Sequence, residues 1–152
     1  DNPSNIYIEA EEADNSSSSG FSPFQVQNIA AASGGKVIVW PNNGSNQIDT
    51  TPANNDSGIA EYAITLAENT PTLDVYVLAN GASTGDDSCY IKLDGHENNW
   101  NSRNNLRGDG FEWFNVGSYS NVSKGDYTLK ILKREDGFLI DRLFISTDGS
   151  KP

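Results

Sequence analysis

The chain has little cysteine, histidine or positive charge, and it has no long apolar run. A single cysteine, Cys89, rules out an internal disulfide. One cysteine and one histidine are also too few for a zinc site built on these ligands. Cys89 shares a predicted strand face with Ile91 and Leu93, so a buried, inert thiol is expected. No stretch approaches the roughly 18 apolar residues of a membrane-spanning helix.

Positive charge is scarce, because ten Lys and Arg residues stand against 21 Asp and Glu residues. The resulting net charge of −11 argues against binding to nucleic acid or to an anionic membrane surface. No signal peptide is recognisable, so a mature or excised segment is expected. An acidic surface rich in Asn and Ser fits a secreted, extracellular protein, which we expect to be a monomer.

Apolar and polar residues alternate in segment after segment, and no window carries the apolar stripe of a helix. This pattern predicts about nine short strands separated by turns, at residues 6–13, 24–29, 36–40, 59–67, 73–80, 88–94, 111–116, 126–133 and 139–146. The fold class is therefore predicted to be all-β, an antiparallel β-sandwich. The predicted core contains Ile64, Leu66, Val75, Val77, Ile91, Leu93, Leu129, Ile131, Leu143 and Ile145.

The length of 152 residues fits one domain with a single core. Residues 1–5 are polar and include a proline, which is typical of a linker end, so the domain is placed at 6–148 with a tail at 149–152. Two long loops, Pro41–Gly58 and Gly95–Gly110, have no apolar period. Loops of that length inside a compact domain are often functional.

Two acidic residues, Glu9 and Glu11, alternate with apolar residues in the first predicted strand. In an extended strand they share a face, with Cβ atoms roughly 6.5–7 Å apart. Two carboxylates at that spacing repel each other unless protons or a cation neutralise them. Calcium suits such a pair because it is a hard ion that takes several oxygen ligands. A solvent-facing acidic edge strand is the alternative.

Trp100 lies in the second long loop among amide side chains: Asn98, Asn99, Asn101, Asn104 and Asn105. Sugar rings have apolar faces and a rim of hydroxyls, so their sites combine flat aromatic rings with planar polar groups. Trp113 points away from the core if Phe114 and Val116 face it. Alternatively, both tryptophans pack under the long loops. Trp40 ends an apolar strand and is expected to support the core.

Three of the ten basic residues, Arg103, Arg107 and Arg134, could hold an acidic or sulfated sugar through bidentate hydrogen bonds. Surface ion pairs with Glu97, Asp109 or Asp136 are the alternative for these arginines.

Three segments, Tyr7–Glu11, Ala32–Val37 and Gly137–Thr147, resemble in order and spacing a carbohydrate-binding module of the family 6 and family 35 type. Members of this family are β-jelly-rolls appended to polysaccharide-degrading enzymes. The resemblance implies a structural Ca²⁺ where the first and last strands meet. Its ligands, by position, are Glu9, Glu11 and Asp141, together with main-chain oxygens of the segment from Ser33 to Lys36.

The resemblance also implies a function. The domain is expected to be a non-catalytic module that binds a polysaccharide or oligosaccharide and targets a catalytic domain of the same parent chain to it. We place the sugar at the loop end, on Trp100, Trp113, Asn98, Asn99, Asn101 and Arg103. The concave face of a sheet is the other place where members of this family bind sugar, and it is the second possibility here, where Tyr76 or Tyr90 projects.

One departure concerns the loop-end site. Many family 6 modules have an Asn before the Ile-Asp pair of the last strand, and this chain has Leu139, so the usual sugar contacts cannot be transferred directly. Other functions stay open: an adhesion or lectin-type domain, or a glycosidase with two carboxylates roughly 5–9.5 Å apart. The carboxylates available for such a pair are Asp86, Asp87, Glu97 and Glu112.

Overall fold

A computed structural model describes residues 5–44 and 57–152, which contain ten strands and two 3-10 turns. The strands are β1 (Ile6–Glu9), β2 (Gln25–Asn28), β3 (Lys36–Val39), β4 (Ile59–Leu66), β5 (Thr70–Asn80), β6 (Cys89–Asp94), β7 (Asn101–Arg103), β8 (Glu112–Val122), β9 (Gly125–Lys133) and β10 (Leu139–Ser146). The 3-10 turns are Ala10–Glu12 and Ser33–Gly35. None of the helical segments in the described part could cross a membrane.

The strands form two antiparallel sheets, which confirms the predicted all-β sandwich. The larger sheet has the order β2-β3-β10-β5-β8, and β1 also pairs with β10. The smaller sheet has the order β4-β9-β6-β7. Every strand pair is antiparallel.

The core lies between the two sheets and follows the alternation of the sequence. In β5, every second residue from Leu73 to Ala79 is fully buried. All ten residues predicted to form the core are buried in one cluster, and Trp40 joins them. Burial of each Leu- or Ile-sized side chain contributes about 1.5–3 kcal/mol, so the alternating residues that face the core stabilise the sandwich.

The last strand, β10, is central in the larger sheet. One of its edges pairs with β5, while the other edge pairs first with β3 and then with β1. Its register against β5 shifts between Ile140 and Arg142, so Asp141 is an extra residue in a β-bulge. The bulge lies between the residues that pair with β3 and those that pair with β1, and it places Asp141 next to both strands.

The structure corrects the predicted elements in three places. The first strand ends at Glu9, and Glu11 lies in a 3-10 turn, so the extended-strand spacing predicted for this pair is wrong. A short strand, β7, lies inside the predicted Gly95–Gly110 loop. Strand β8 continues to Val122, past a second register shift that interrupts its alternation. Most of the loop predicted at Pro41–Gly58, and the start of the predicted linker, lie outside the described residues.

Candidate functional site

The predicted metal ligands meet where β1, β3 and β10 come together. Ser33, at the start of the second 3-10 turn, connects two of them. Its N–H donates to Asp141 Oδ2 at 2.8 Å, and its hydroxyl donates to Glu9 Oε1 at 2.9 Å. The turn continues through Gly34, whose φ of +62° suits glycine, and a Cβ built there would lie 3.6 Å from Glu11 Oε1. The turn therefore approaches all three carboxylates.

Each of these carboxylates has one buried oxygen without a hydrogen-bond partner: Glu9 Oε2, Glu11 Oε2 and Asp141 Oδ1. Burial raises the pKa of Glu11, and repulsion from Glu9 and Asp141 raises it further. Burial also raises the pKa of Asp141, although the Ser33 N–H opposes the rise. Buried acceptors that lack donors and repel one another fit a hard cation, because calcium is bound by carboxylate and carbonyl oxygens.

The three carboxylates do not lie close enough together to form a complete metal site. Within residues 5–44 and 57–152, no three His, Cys, Asp or Glu side chains are grouped closely enough to hold a metal ion. Arg142 Nε lies 3.3 Å from Glu9 Oε1 and offsets part of the negative charge. Lys36 begins β3 with an exposed side chain, so only its main chain could contribute an oxygen. A bound ion would have to pull the three carboxylates inward.

Trp100 lies on the outer face of the smaller sheet. It packs against a small cluster of Ile59, Tyr90 and Leu132, which face away from the core on three neighbouring strands. The ammonium group of Lys92 lies 4.9 Å from the centre of a Trp100 ring. Trp100 is half-buried, while Asn98 and Asn99 before it are exposed. We call these residues around Trp100 the Trp100 surface.

Trp113 points away from the core, as expected from the inward positions of Phe114 and Val116. It lies on the outer face of the larger sheet, against Tyr7 and Phe144. The two tryptophans are therefore on opposite faces of the sandwich, because Trp113 belongs to β8 of the larger sheet while Trp100 packs on the smaller one. The prediction that Trp113 lies beside Trp100 in a single loop-end site is wrong.

The side chains of Asn101 and Arg103 form hydrogen bonds within the protein. The Asn101 amide donates to both carboxylate oxygens of Glu97, at 3.2 and 3.1 Å. Arg103 Nε donates to the carbonyl oxygen of Val116 at 2.6 Å. Because Arg103 is in β7 and Val116 is in β8, this hydrogen bond connects the edges of the two sheets. Both side chains hold the loop and the sheet edge in place.

A network of charges, which the sequence did not suggest, surrounds the buried carboxylates of Asp87 and Glu135, just before β6 begins and just after β9 ends. Glu135 Oε2 accepts hydrogen bonds from the Asp87 N–H at 3.2 Å and from the Ser88 hydroxyl at 2.5 Å. Arg107 forms an ion pair with Asp87, and Arg134 lies 3.8 Å from Glu135 Oε1. Ion pairing, the alternative for Arg107 and Arg134, is therefore present, with partners other than those expected.

No protein-family model and no curated protein sequence matches this chain. Solved structures do share its fold. A family 35 carbohydrate-binding module from Clostridium thermocellum is 20% identical with a TM-score of 0.59, covering 93% of this chain and 98% of that chain. The module CBM6cm-2 from Cellvibrio mixtus lichenase 5A, in complex with cellotriose, is 14% identical with a TM-score of 0.60, covering 94% and 97%.

The fold also occurs as part of a larger enzyme. The Podospora anserina GH26-CBM35 β-(1,4)-mannanase is 17% identical with a TM-score of 0.67, and the match covers 97% of this chain. The chain spans only 28% of the length of that enzyme. At these identities the likeness establishes the fold, and it confirms that the resemblance to family 6 and family 35 modules holds for the three-dimensional structure.

Proposed function

We propose that this domain is a secreted, non-catalytic carbohydrate-binding module that keeps an appended polysaccharide-degrading enzyme on its glycan. The observation that carries the proposal is the likeness of the whole domain to two isolated modules, each matched over nearly its full length. Attachment to an enzyme is supported by the mannanase that contains the same fold.

We assign glycan binding to the Trp100 surface. Tyr90 beneath it is only 5% exposed, so Trp100 provides the accessible aromatic ring. Around it, Lys92 lies 3.9 Å from Asp94, and Lys130 lies 3.2 Å from the same carboxylate. Exposed Asn98 and Asn99 add amide groups. A flat ring beside several donors and acceptors is the combination that a pyranose ring requires.

We further propose that Glu9, Glu11 and Asp141 hold a Ca²⁺ ion, with main-chain oxygens between Ser33 and Lys36. The three buried carboxylate oxygens that have no hydrogen-bond partner support this assignment. The ion, when bound, supplies the positive charge that these carboxylates lack. Since its ligands would connect β1 and the turn after it to β10, its role is to stabilise the fold and not to contact the sugar.

Glycan-array screening followed by calorimetry of Trp100→Ala tests the function. Loss of a central aromatic contact commonly costs about 2 kcal/mol, which is roughly thirtyfold in affinity. Trp100→Phe is the matched control because it retains apolar packing on Leu132, and a melting curve of each variant reports folding. The proposal fails if the native protein binds no glycan. The assignment to Trp100 fails if the folded alanine variant binds as tightly as the native protein.

A further inference from the structure

The positive charge of Arg142 lies beside the proposed calcium site. Arg142 is directly opposite Glu9 in the pairing of β1 with β10, and opposed residues of an antiparallel pair share a face of the sheet. Arg142 Nε is 3.3 Å from Glu9 Oε1. Asp141, another proposed ligand, directly precedes Arg142 in the bulge of β10. A charge that belongs to the protein therefore lies where a divalent cation would also be attracted.

The two carboxylate oxygens of Glu9 have different surroundings. Oε1 accepts a hydrogen bond from the Ser33 hydroxyl at 2.9 Å and also faces Arg142. Oε2 is buried and has no hydrogen-bond partner within the described residues. Groups of the protein thus neutralise one oxygen, while the other is available to a cation. Glu9 is a carboxylate that an arginine and a metal ion would have to share.

The contact between Arg142 and Glu9 is electrostatic and is not a directed hydrogen bond. Arg142 Nε is buried, and no acceptor in the described part of the chain meets it with hydrogen-bond geometry. The group that orients the Glu9 carboxylate is the Ser33 hydroxyl. Groups that orient a ligand commonly increase metal affinity, whereas a fixed cation that only adds charge repels the metal ion. Removal of the Arg142 charge should therefore strengthen the binding of a cation.

A second contact, with Tyr7, holds the Arg142 side chain on the outer face of the larger sheet. The guanidinium carbon lies 4.6 Å from the centre of the Tyr7 ring, within the range of a cation–π interaction. Tyr7 in turn packs against Phe144, with ring centroids 4.6 Å apart. When an ion draws the Glu9 carboxylate inward, the guanidinium therefore keeps a contact that does not depend on Glu9.

We propose that Arg142 competes with calcium for Glu9: it neutralises this carboxylate in the calcium-free protein and weakens the affinity of the site for the ion. The inference rests on the proposed calcium site and deepens it, because it names a residue that sets the affinity. The calcium-free protein loses less stability, since one of its three carboxylates is already paired. Calcium binds less tightly, since it has to act against the same pair.

Calorimetric titration with calcium, together with melting curves in excess chelator, tests the inference. Arg142→Met removes the charge but keeps a long apolar side chain against Tyr7. This variant should bind calcium roughly tenfold more tightly, and its chelated form should melt at a lower temperature because Glu9 has lost its partner. Arg142→Lys keeps the charge and should bind calcium like the native protein. Lys124→Met changes the net charge equally at an exposed position between β8 and β9, and it is the control.

The outcomes distinguish the competition from the calcium site itself. Tighter binding by Arg142→Met, with native affinity in Lys124→Met, supports the competition. Native or weaker affinity in Arg142→Met overturns it and leaves the calcium site intact. If neither the native protein nor Arg142→Met binds calcium, both proposals fail. The Arg142 Nε–H resonance of the native protein gives a measurement that needs no variant: calcium should shift it, and an unchanged resonance in the calcium-saturated protein overturns the competition.

Discussion

Removal of divalent cations should lower the melting temperature of this protein. The reason is the set of three buried carboxylate oxygens that have no donor within the described structure. Without an ion, burial raises the pKa values of Glu11 and Asp141, and repulsion from neighbouring carboxylates, Glu9 among them, adds to the rise. A bound ion would attract all three carboxylates, and this attraction exists only in the folded state.

The size of the effect follows from mass action. A ligand present at a hundred times its Kd stabilises the folded state by about 2.7 kcal/mol. For a domain of this length, each kcal/mol shifts the melting temperature by about 2–4 °C. Chelation of a site that was saturated to that degree should therefore lower the melting temperature by roughly 5–11 °C.

Calorimetric melting in calcium and in excess chelator measures the effect, and two glutamate variants locate it. Glu11→Gln removes a ligand charge, so it should reduce the calcium-induced shift. Because it also removes repulsion, it should not destabilise the chelated protein. Glu12→Gln neutralises an exposed neighbour and should leave the calcium-induced shift unchanged. Identical melting with and without calcium, or a full shift in Glu11→Gln, would refute the site.

The pH dependence provides a further check on the same site. A carboxyl whose folded pKa is raised stabilises the fold below its ordinary pKa, and this contribution is lost as pH rises through the folded pKa. The chelated protein should thus lose the contribution of Glu11 and Asp141 on going from acid toward neutral pH. Calcium binds the ionised carboxylates, so the calcium-induced shift should grow over the same interval.

Two further predictions concern buried groups. Burial raises the pKa of the Cys89 thiol to about 12, so a thiol reagent at pH 8 should label the protein only after denaturation; rapid labelling of the native state would contradict its placement in the core. The buried Tyr62 hydroxyl donates to the Ala10 carbonyl at 2.7 Å, so Tyr62→Phe should cost about 0.5–1.5 kcal/mol, or roughly 1–6 °C in a thermal melt. Tyr127→Phe, which loses an exposed hydrogen bond to Ser123, is the control and should melt like the native protein; equal losses in both variants would refute the role of Tyr62.

The sequence predicted the inward-facing residues well because a two-residue period determines which side chains are buried. Residues such as Val75 and Ile131 needed no further information. The same period could predict that Trp113 points outward, but not which face of the sandwich Trp100 packs against. That depends on how the loop before β7 folds back onto Tyr90. A contact between separate segments of this kind cannot be predicted from a local sequence pattern.

Other features of the site depend on short or irregular structure. Strand β7 has three residues and no apolar alternation, so nothing in it distinguished a strand from a loop. A 3-10 turn at Ala10–Glu12 replaces the expected strand, and its Ala10 carbonyl accepts a hydrogen bond from Tyr62 of the smaller sheet, a contact that the local sequence does not show. The pairing of Glu135 with Ser88 joins residues 47 positions apart and could not be read from spacing.

The central position of β10 has a consequence for how the chain can assemble. Strands β1, β3 and β5 all pair with it, and it is the last of the ten strands along the chain. The smaller sheet is complete once residue 133 has been synthesised, but the larger sheet cannot close before residues 139–146 emerge. Long-range pairing of this kind is slow because a large loop must be ordered first. A nascent or truncated chain that stops before Leu139 therefore leaves β1 unpaired and one edge of both β3 and β5 open. Open strand edges of this kind associate between molecules.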